Sequence, residues 1–125
     1  MLVLIVEPKK IPYTREISDT LKSKQSIVGG TIQVVYPFNE EVALVCNDEG
    51  KFLGLPANRG LRGENGTLYD IVCGTFFLCG APADSERFTS LTPEQVERYQ
   101  QRFHTPELFL NVDGQILCLP VEENS

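Results

Sequence analysis

Histidine is nearly missing from this chain: His104 stands alone among 125 residues, and no Cys-x-x-Cys accompanies it. A zinc site needs close Cys or His ligands on a turn, so the scarcity argues against a metal centre. Neither Gly-x-x-x-x-Gly-Lys-Ser/Thr nor Gly-x-Gly-x-x-Gly occurs, which removes the standard phosphate-loop mechanics. Basic residues are outnumbered, 11 Lys and Arg against 17 Asp and Glu, for a formal net charge of -6. That balance repels a phosphate backbone unless Lys and Arg gather on one face, so general nucleic-acid binding is disfavoured. No apolar run approaches the length of a membrane span, and the opening Met1 to Val6 is too short for a signal-peptide core. The expectation is a cytoplasmic protein with no membrane association and no cofactor.

What is present suits one domain. With 42% hydrophobic and 22% charged residues, the composition is that of an ordinary globular chain. Its length allows a single respectable core but not two. Cys46, Cys73, Cys79 and Cys118 each sit inside an apolar strand-like run and are expected to be buried free thiols. Cys73 and Cys79 lie roughly 20 Å apart along a regular strand, too far to pair with each other.

The patterning predicts an α+β fold: a mainly antiparallel sheet packed against two helices, with a C-terminal β-hairpin. Leu2 to Val6 reads as a central strand, since an uninterrupted apolar strand is covered on both faces. Lys9 to Tyr13, with two prolines, reads as a loop or edge segment. A helix is expected from Ser18 or Asp19 to a stop at Gly29-Gly30, with Ile17, Leu21, Lys24 and Val28 on one stripe. Thr31 to Tyr36 alternates as a strand that Pro37 ends, and Val42 to Cys46 is the next strand. Asn47-Asp-Glu-Gly50 has hairpin-turn composition and predicts a partner strand at Lys51 to Leu53. Ile71 to Cys79 reads as one internal strand, with Ile71, Cys73, Thr75, Phe77 and Cys79 on one face. Thr92-Pro-Glu-Gln95 is a capping box that opens a second helix, whose Val96, Tyr99 and Phe103 form the apolar seam while Arg98 and Arg102 face water. Leu108 to Val112 and Gln115 to Leu119 flank Asp113-Gly114 as a hairpin. Residues 119–125 are expected to be a flexible acidic tail of the single domain 1–125.

The candidate site is the segment Gly54 to Gly66, which has four glycines and a proline and so cannot be regular throughout. Asn58, Arg59 and Arg62 are its candidate ligand contacts. A guanidinium offers a planar fork to phosphate or carboxylate, glycines expose backbone amides, and Asn matches amide-like base edges. The competing reading is that Arg59 holds the loop by bonding carbonyls or Asp70. Tyr36, Phe38 and Tyr69, near strand ends, could stack on a base or close the rim of the core. Glu40, Glu41, Asp48 and Glu49 sit in polar turns where carboxylates stay solvated, so no acid/base role is assigned to them. His104 is placed to cap helix carbonyls rather than to catalyse.

Ile27-Val-Gly-Gly-Thr-Ile-Gln-Val-Val-Tyr-Pro-Phe38, Cys46-Asn-Asp-Glu-Gly50, Gly54-Leu-Pro-Ala-Asn-Arg59 and Asp70-Ile-Val-Cys-Gly-Thr-Phe-Phe-Leu-Cys-Gly80 together give the chain a family likeness. It resembles the small bacterial and phage domains of the domain-of-unknown-function family DUF3846, most clearly from the opening Val-Leu-Ile-Val-Glu-Pro through Gly80. The resemblance carries no catalytic residues; it implies a phage- or mobile-element-associated biology. Two functions follow as expectations. The first is a non-enzymatic module that binds a small anionic or nucleotide-like molecule at Gly54 to Gly66. The second is a protein-interaction module, such as an inhibitor of a host or partner protein, with a dimer through an exposed strand edge as an open possibility.

Overall fold

The architecture follows from three strands that are apolar on both sides. Leu2–Val6 (β1), Val42–Asn47 (β4) and Phe76–Gly80 (β7) are almost wholly buried, and with Tyr13–Glu16 (β2) and Ile32–Val35 (β3) they form a five-stranded antiparallel sheet in the order β2-β1-β7-β4-β3. The structure, a computed structural model, describes residues 1–121. β2 and β3 are the edges, where partial exposure is tolerable. β1 is central, as its unbroken apolar run predicts.

Period-two alternation sends the two faces of this sheet into separate cores. Val3, Ile5, Ala43, Val45, Phe77 and Cys79 point to one side, where Leu21–Val28 (α1) covers them through Val28. Leu4, Val6, Val42, Leu44, Phe76 and Leu78 point to the other. There they meet Tyr99 and Phe103 from Pro93–Arg102 (α2) and Leu61 and Val72 from a second hairpin, Ala57–Arg62 (β5) with Leu68–Cys73 (β6). The chain ends in the hairpin Glu107–Val112 (β8) and Gln115–Pro120 (β9), as Asp113-Gly114 predicts. No helix among the described residues is long and apolar enough to cross a membrane.

Both helices begin on side-chain caps. Thr92 Oγ1 accepts from the Gln95 amide while Gln95 Oε1 accepts from the Thr92 amide, the reciprocal capping box read from the sequence. α1 is capped by Thr20, one residue after Asp19 and two after Ser18, the expected caps, and Gly29 closes it at φ +79°. Of the expected stripe, Val28 and Lys24 are buried and Leu21 is exposed. Lys24 spans the helix to pair with Asp19 and lies 4.6 Å above the Phe88 ring centroid.

Two local expectations are corrected. Lys51 to Leu53 is a turn, not a strand, because both edges of β4 are already occupied by β3 and β7. Asn47 enforces the exit from the sheet: its Oδ1 accepts from the Glu49 amide and its Nδ2 donates to the Val28 carbonyl. Ile71 to Cys79 is two strands in two sheets, since Gly74 turns the chain at φ +84° beside Leu55, a conformation L side chains resist. The glycine-rich segment is not regular throughout, as expected, but its middle, Ala57–Arg62, is a strand paired with β6 through two register shifts. The expected tail is strand through Pro120; residues 122–125 lie outside the described residues.

Candidate functional site

Three of the four glycines of the suspected segment, Gly60, Gly63 and Gly66, serve the β5–β6 hairpin, and Gly54 serves the turn before it. Gly60 lies so close to the Leu68 side chain that a Cβ would collide with it, and Gly66, at φ +79°, closes the turn that returns to Leu68. This turn, with the Gly63 amide donating to the Thr67 carbonyl at 3.0 Å, raises Arg62 and Glu64 beside the end of α2.

Asn58 and Arg59 point inward, 0% and 1% exposed. Asn58 Nδ2 donates to the carbonyls of Val6 and Gly74, both at 2.9 Å, so it ties β1 to the turn that separates β6 from β7. The Arg59 guanidinium is satisfied by oxygen atoms of the protein itself. Nε donates to the Phe103 carbonyl at 3.0 Å, Nη1 to Asn58 Oδ1 at 2.9 Å and its carbonyl at 3.2 Å, and Nη2 to the Lys10 carbonyl at 2.6 Å. Burial lowers its pKa while the nearby Glu107 charge opposes the shift. The pair thus joins β1, β5, the end of α2 and the loop after β1.

Phe38, Arg62 and Tyr69 do converge. They line a groove of about 550 Å³ together with Pro37, Asn39, Gly63, Glu64 and Arg102. Phe38 packs at 4.7 Å from Tyr99 and 6.1 Å from Phe103, centroid to centroid, which fixes its ring at the edge of the core. The Arg102 guanidinium lies 4.9 Å above Phe38, and its Nη2 donates to the Arg62 carbonyl at 3.2 Å. Arg62 is held from the far side: Nη1 donates to Glu107 Oε1 at 2.7 Å and Nη2 contacts Cys118 Sγ at 3.0 Å. The bond to Glu107 raises the Arg62 pKa against partial burial, and burial first, then Glu107, raises that of the Cys118 thiol. Glu107 also accepts from the Gly60 amide at 2.7 Å. Arg102 is in no ion pair among the described residues.

Arg102 is the groove residue that sequence reasoning placed only on the solvent face of α2. It is exposed, but its position in the last helical turn brings it over Phe38; the signal was the pairing of a helix-terminal arginine with an aromatic that follows a strand-ending proline. Tyr36 is elsewhere, 64% exposed and lining a different groove with Glu40, Glu41 and Phe88. Glu40 bonds Arg98 and Gln95 of α2, and Glu41 Oε1 accepts from the Ala83 amide at 3.2 Å. The backbone amides of Phe103 and His104 close α2, with no imidazole bond to a helix carbonyl among the described residues. Likewise among the described residues, no group of three His, Cys, Asp or Glu side chains could hold a metal ion.

A family model described as Domain of unknown function (DUF3846) matches residues 1–104. That span includes Phe38, Arg62, Tyr69 and Arg102 and stops before β8. Searches among curated proteins and among solved structures found no match.

Proposed function

The chain belongs to the DUF3846 family, and because that description names no activity we propose a function from the groove: a non-enzymatic module binding a small anionic or nucleotide-like ligand. The observation that carries it is the convergence of two guanidinium groups and two aromatic rings, Arg62 and Arg102 with Phe38 and Tyr69, on one groove. Arginine matches phosphate or carboxylate oxygens with paired donors, and an aromatic face accepts a base or other planar ring. Arg62 already shares its charge with Glu107, and Glu64 stands on the rim, so Arg102 supplies the main attraction for an anion. This favours a ligand that brings a ring as well as charge. Asn58 and Arg59, expected as direct contacts, act in this reading by holding β5 and the end of α2 in place. In the phage or mobile-element setting that the resemblance implies, such a module would sequester a signalling nucleotide.

A thermal-shift series with mononucleotides, cyclic mononucleotides, cyclic dinucleotides and inorganic phosphate tests the proposal. Ligand at a hundredfold excess over Kd adds about 2.7 kcal/mol to native-state stability, a shift of roughly 10 °C for a chain this size. Arg102→Ala, at an exposed position, should abolish the shift while leaving the ligand-free Tm within about 2 °C. Absence of a shift with every class at millimolar concentration would sink the reading.

A further inference from the structure

The C-terminal hairpin lies wholly beyond residues 1–104, the part of the chain that matches the family. Its register pairs Leu108 with Leu119, Leu110 with Leu117 and Val112 with Gln115, placing these side chains on one face. The opposite face holds Glu107 and Cys118, which bind Arg62, and Phe109, Asn111 and Ile116, which border the groove against β6; Leu110 reaches the lip of the same groove. Apart from Leu110 at that lip, the leucine face turns away from the body. Leu108, Leu110, Val112, Leu117 and Leu119 each leave 40 to 47% of their surface in water. Together they expose on the order of 400 Å² of apolar area, within the size of the largest patch on a typical monomer, which is often functional.

We propose that this leucine face is a homodimer interface, occupied by the same face of a second copy related by a two-fold axis. Three observations select a second copy. First, the face has a repeating pattern, two rungs of cross-strand leucine pairs, Leu108/Leu119 and Leu110/Leu117, of the kind that two sheet faces related by a two-fold axis can interleave. Second, residues 108–112 and 115–121 contain no charged side chain, so in a chain of net charge -6 this is a surface where two copies meet without direct opposition of charge. Third, the area fits: two such faces bury about 800 Å² of apolar surface, and a polar rim brings the total near the roughly 1,000 Å² of a specific interface. A two-stranded hairpin alone is marginal in water, and stacking two of them makes a four-stranded sandwich.

Sedimentation velocity and light scattering on the full 125-residue chain test this. The mass should rise from the 14.0 kDa of one chain to twice that value as concentration increases through the micromolar range. Leu110→Lys with Leu117→Lys should raise the dissociation constant at least about a hundredfold, because each buried ammonium would face its own symmetry mate in an apolar interface. Ile116→Lys, on the same hairpin but the opposite face, should leave association unchanged. Circular dichroism and the melting transition establish that each variant is folded, and Leu119→Gln gives a milder version of the same disruption. A wild-type chain that stays monomeric at about 200 µM overturns the proposal, as does a folded double variant that still dimerises or an Ile116→Lys variant that dissociates equally.

Discussion

Replacing Arg59 tests whether this buried guanidinium holds the fold together. Arg59→Ala removes the donors that satisfy the carbonyls of Phe103, Lys10 and Asn58 and the Oδ1 of Asn58. It also empties the space of the largest fully buried side chain. Each buried acceptor left without a donor costs about 1 to 3 kcal/mol, and relief from burying a guanidinium offsets part of that sum. The net loss should be about 3 to 5 kcal/mol, or a fall in Tm of roughly 10 to 20 °C for a domain of this length. Arg59→Lys should recover only part of it, since one ammonium cannot reach the oxygens of three separate segments. Urea titration followed by circular dichroism measures both, with an unchanged m-value showing that the unfolded surface is the same. A loss below about 1 kcal/mol for Arg59→Ala, or a lysine variant equal to wild type, would refute the assignment of this side chain as an internal tie.

Other expectations follow from single contacts. Gly50→Ala would set a Cβ 2.6 Å from the Cys73 carbonyl oxygen, a backbone atom that cannot step aside, and should cost about 1 to 3 kcal/mol in the same titration. Thr92→Ala removes one half of the capping box and should cost about 1 kcal/mol, with fraying at the start of α2 visible as faster amide exchange of Gln95 and Val96. Burial first, then the charge of Glu40 and a hydrogen bond to it, pushes Tyr99 up from 10.0 to about 12, and burial pushes Cys79 from 9.0 to about 12. Both raised values mean that the folded state favours the protonated form. The corresponding stability is complete below about pH 9 and is lost as pH rises toward 12. The urea midpoint should therefore fall between pH 8 and pH 11 more steeply for wild type than for Tyr99→Phe with Cys79→Ala; equal slopes would count against this source of alkaline sensitivity.

Much of the fold was legible because its core strands are apolar on both faces and its second helix opens on explicit cap chemistry. β1, β3, β4, α2 and the Asp113-Gly114 hairpin all follow from periodicity and turn residues. The failures share a cause: local sequence does not state how many partners a strand already has. Asn47 to Gly50 reads as a hairpin turn until both edges of β4 are taken, by β3 and by β7, which comes from more than 30 residues later. Gly74 gave the same difficulty in reverse. A glycine within an apolar run reads as strand, and only the contact with Leu55 shows why the chain must turn there and change sheets.

The site was partly legible for a related reason. Glycine and arginine density marks close approach of backbone, but it does not say whether the approaching group is a ligand or the rest of the protein. In Gly54 to Gly66 one strand carries both an inward arginine and one at the groove, and a register shift between Leu61 and Arg62 lies between them. Arg59 turns inward to bind three segments, whereas Arg62, at the end of β5 beside the turn, reaches the surface and meets Arg102 across the groove. The interior arginine fixes the Phe103 carbonyl at the end of α2, and Phe103 stacks edge-on against Phe38 and Phe76. Through that chain of contacts the buried guanidinium sets where Phe38 and Arg102 stand. If the groove binds the proposed anionic ligand, a substitution at Arg59 should weaken that binding only by loosening the groove, in proportion to its loss of stability. Arg102→Ala should abolish binding without that loss, so measuring both quantities for both variants assigns the two arginines their separate roles.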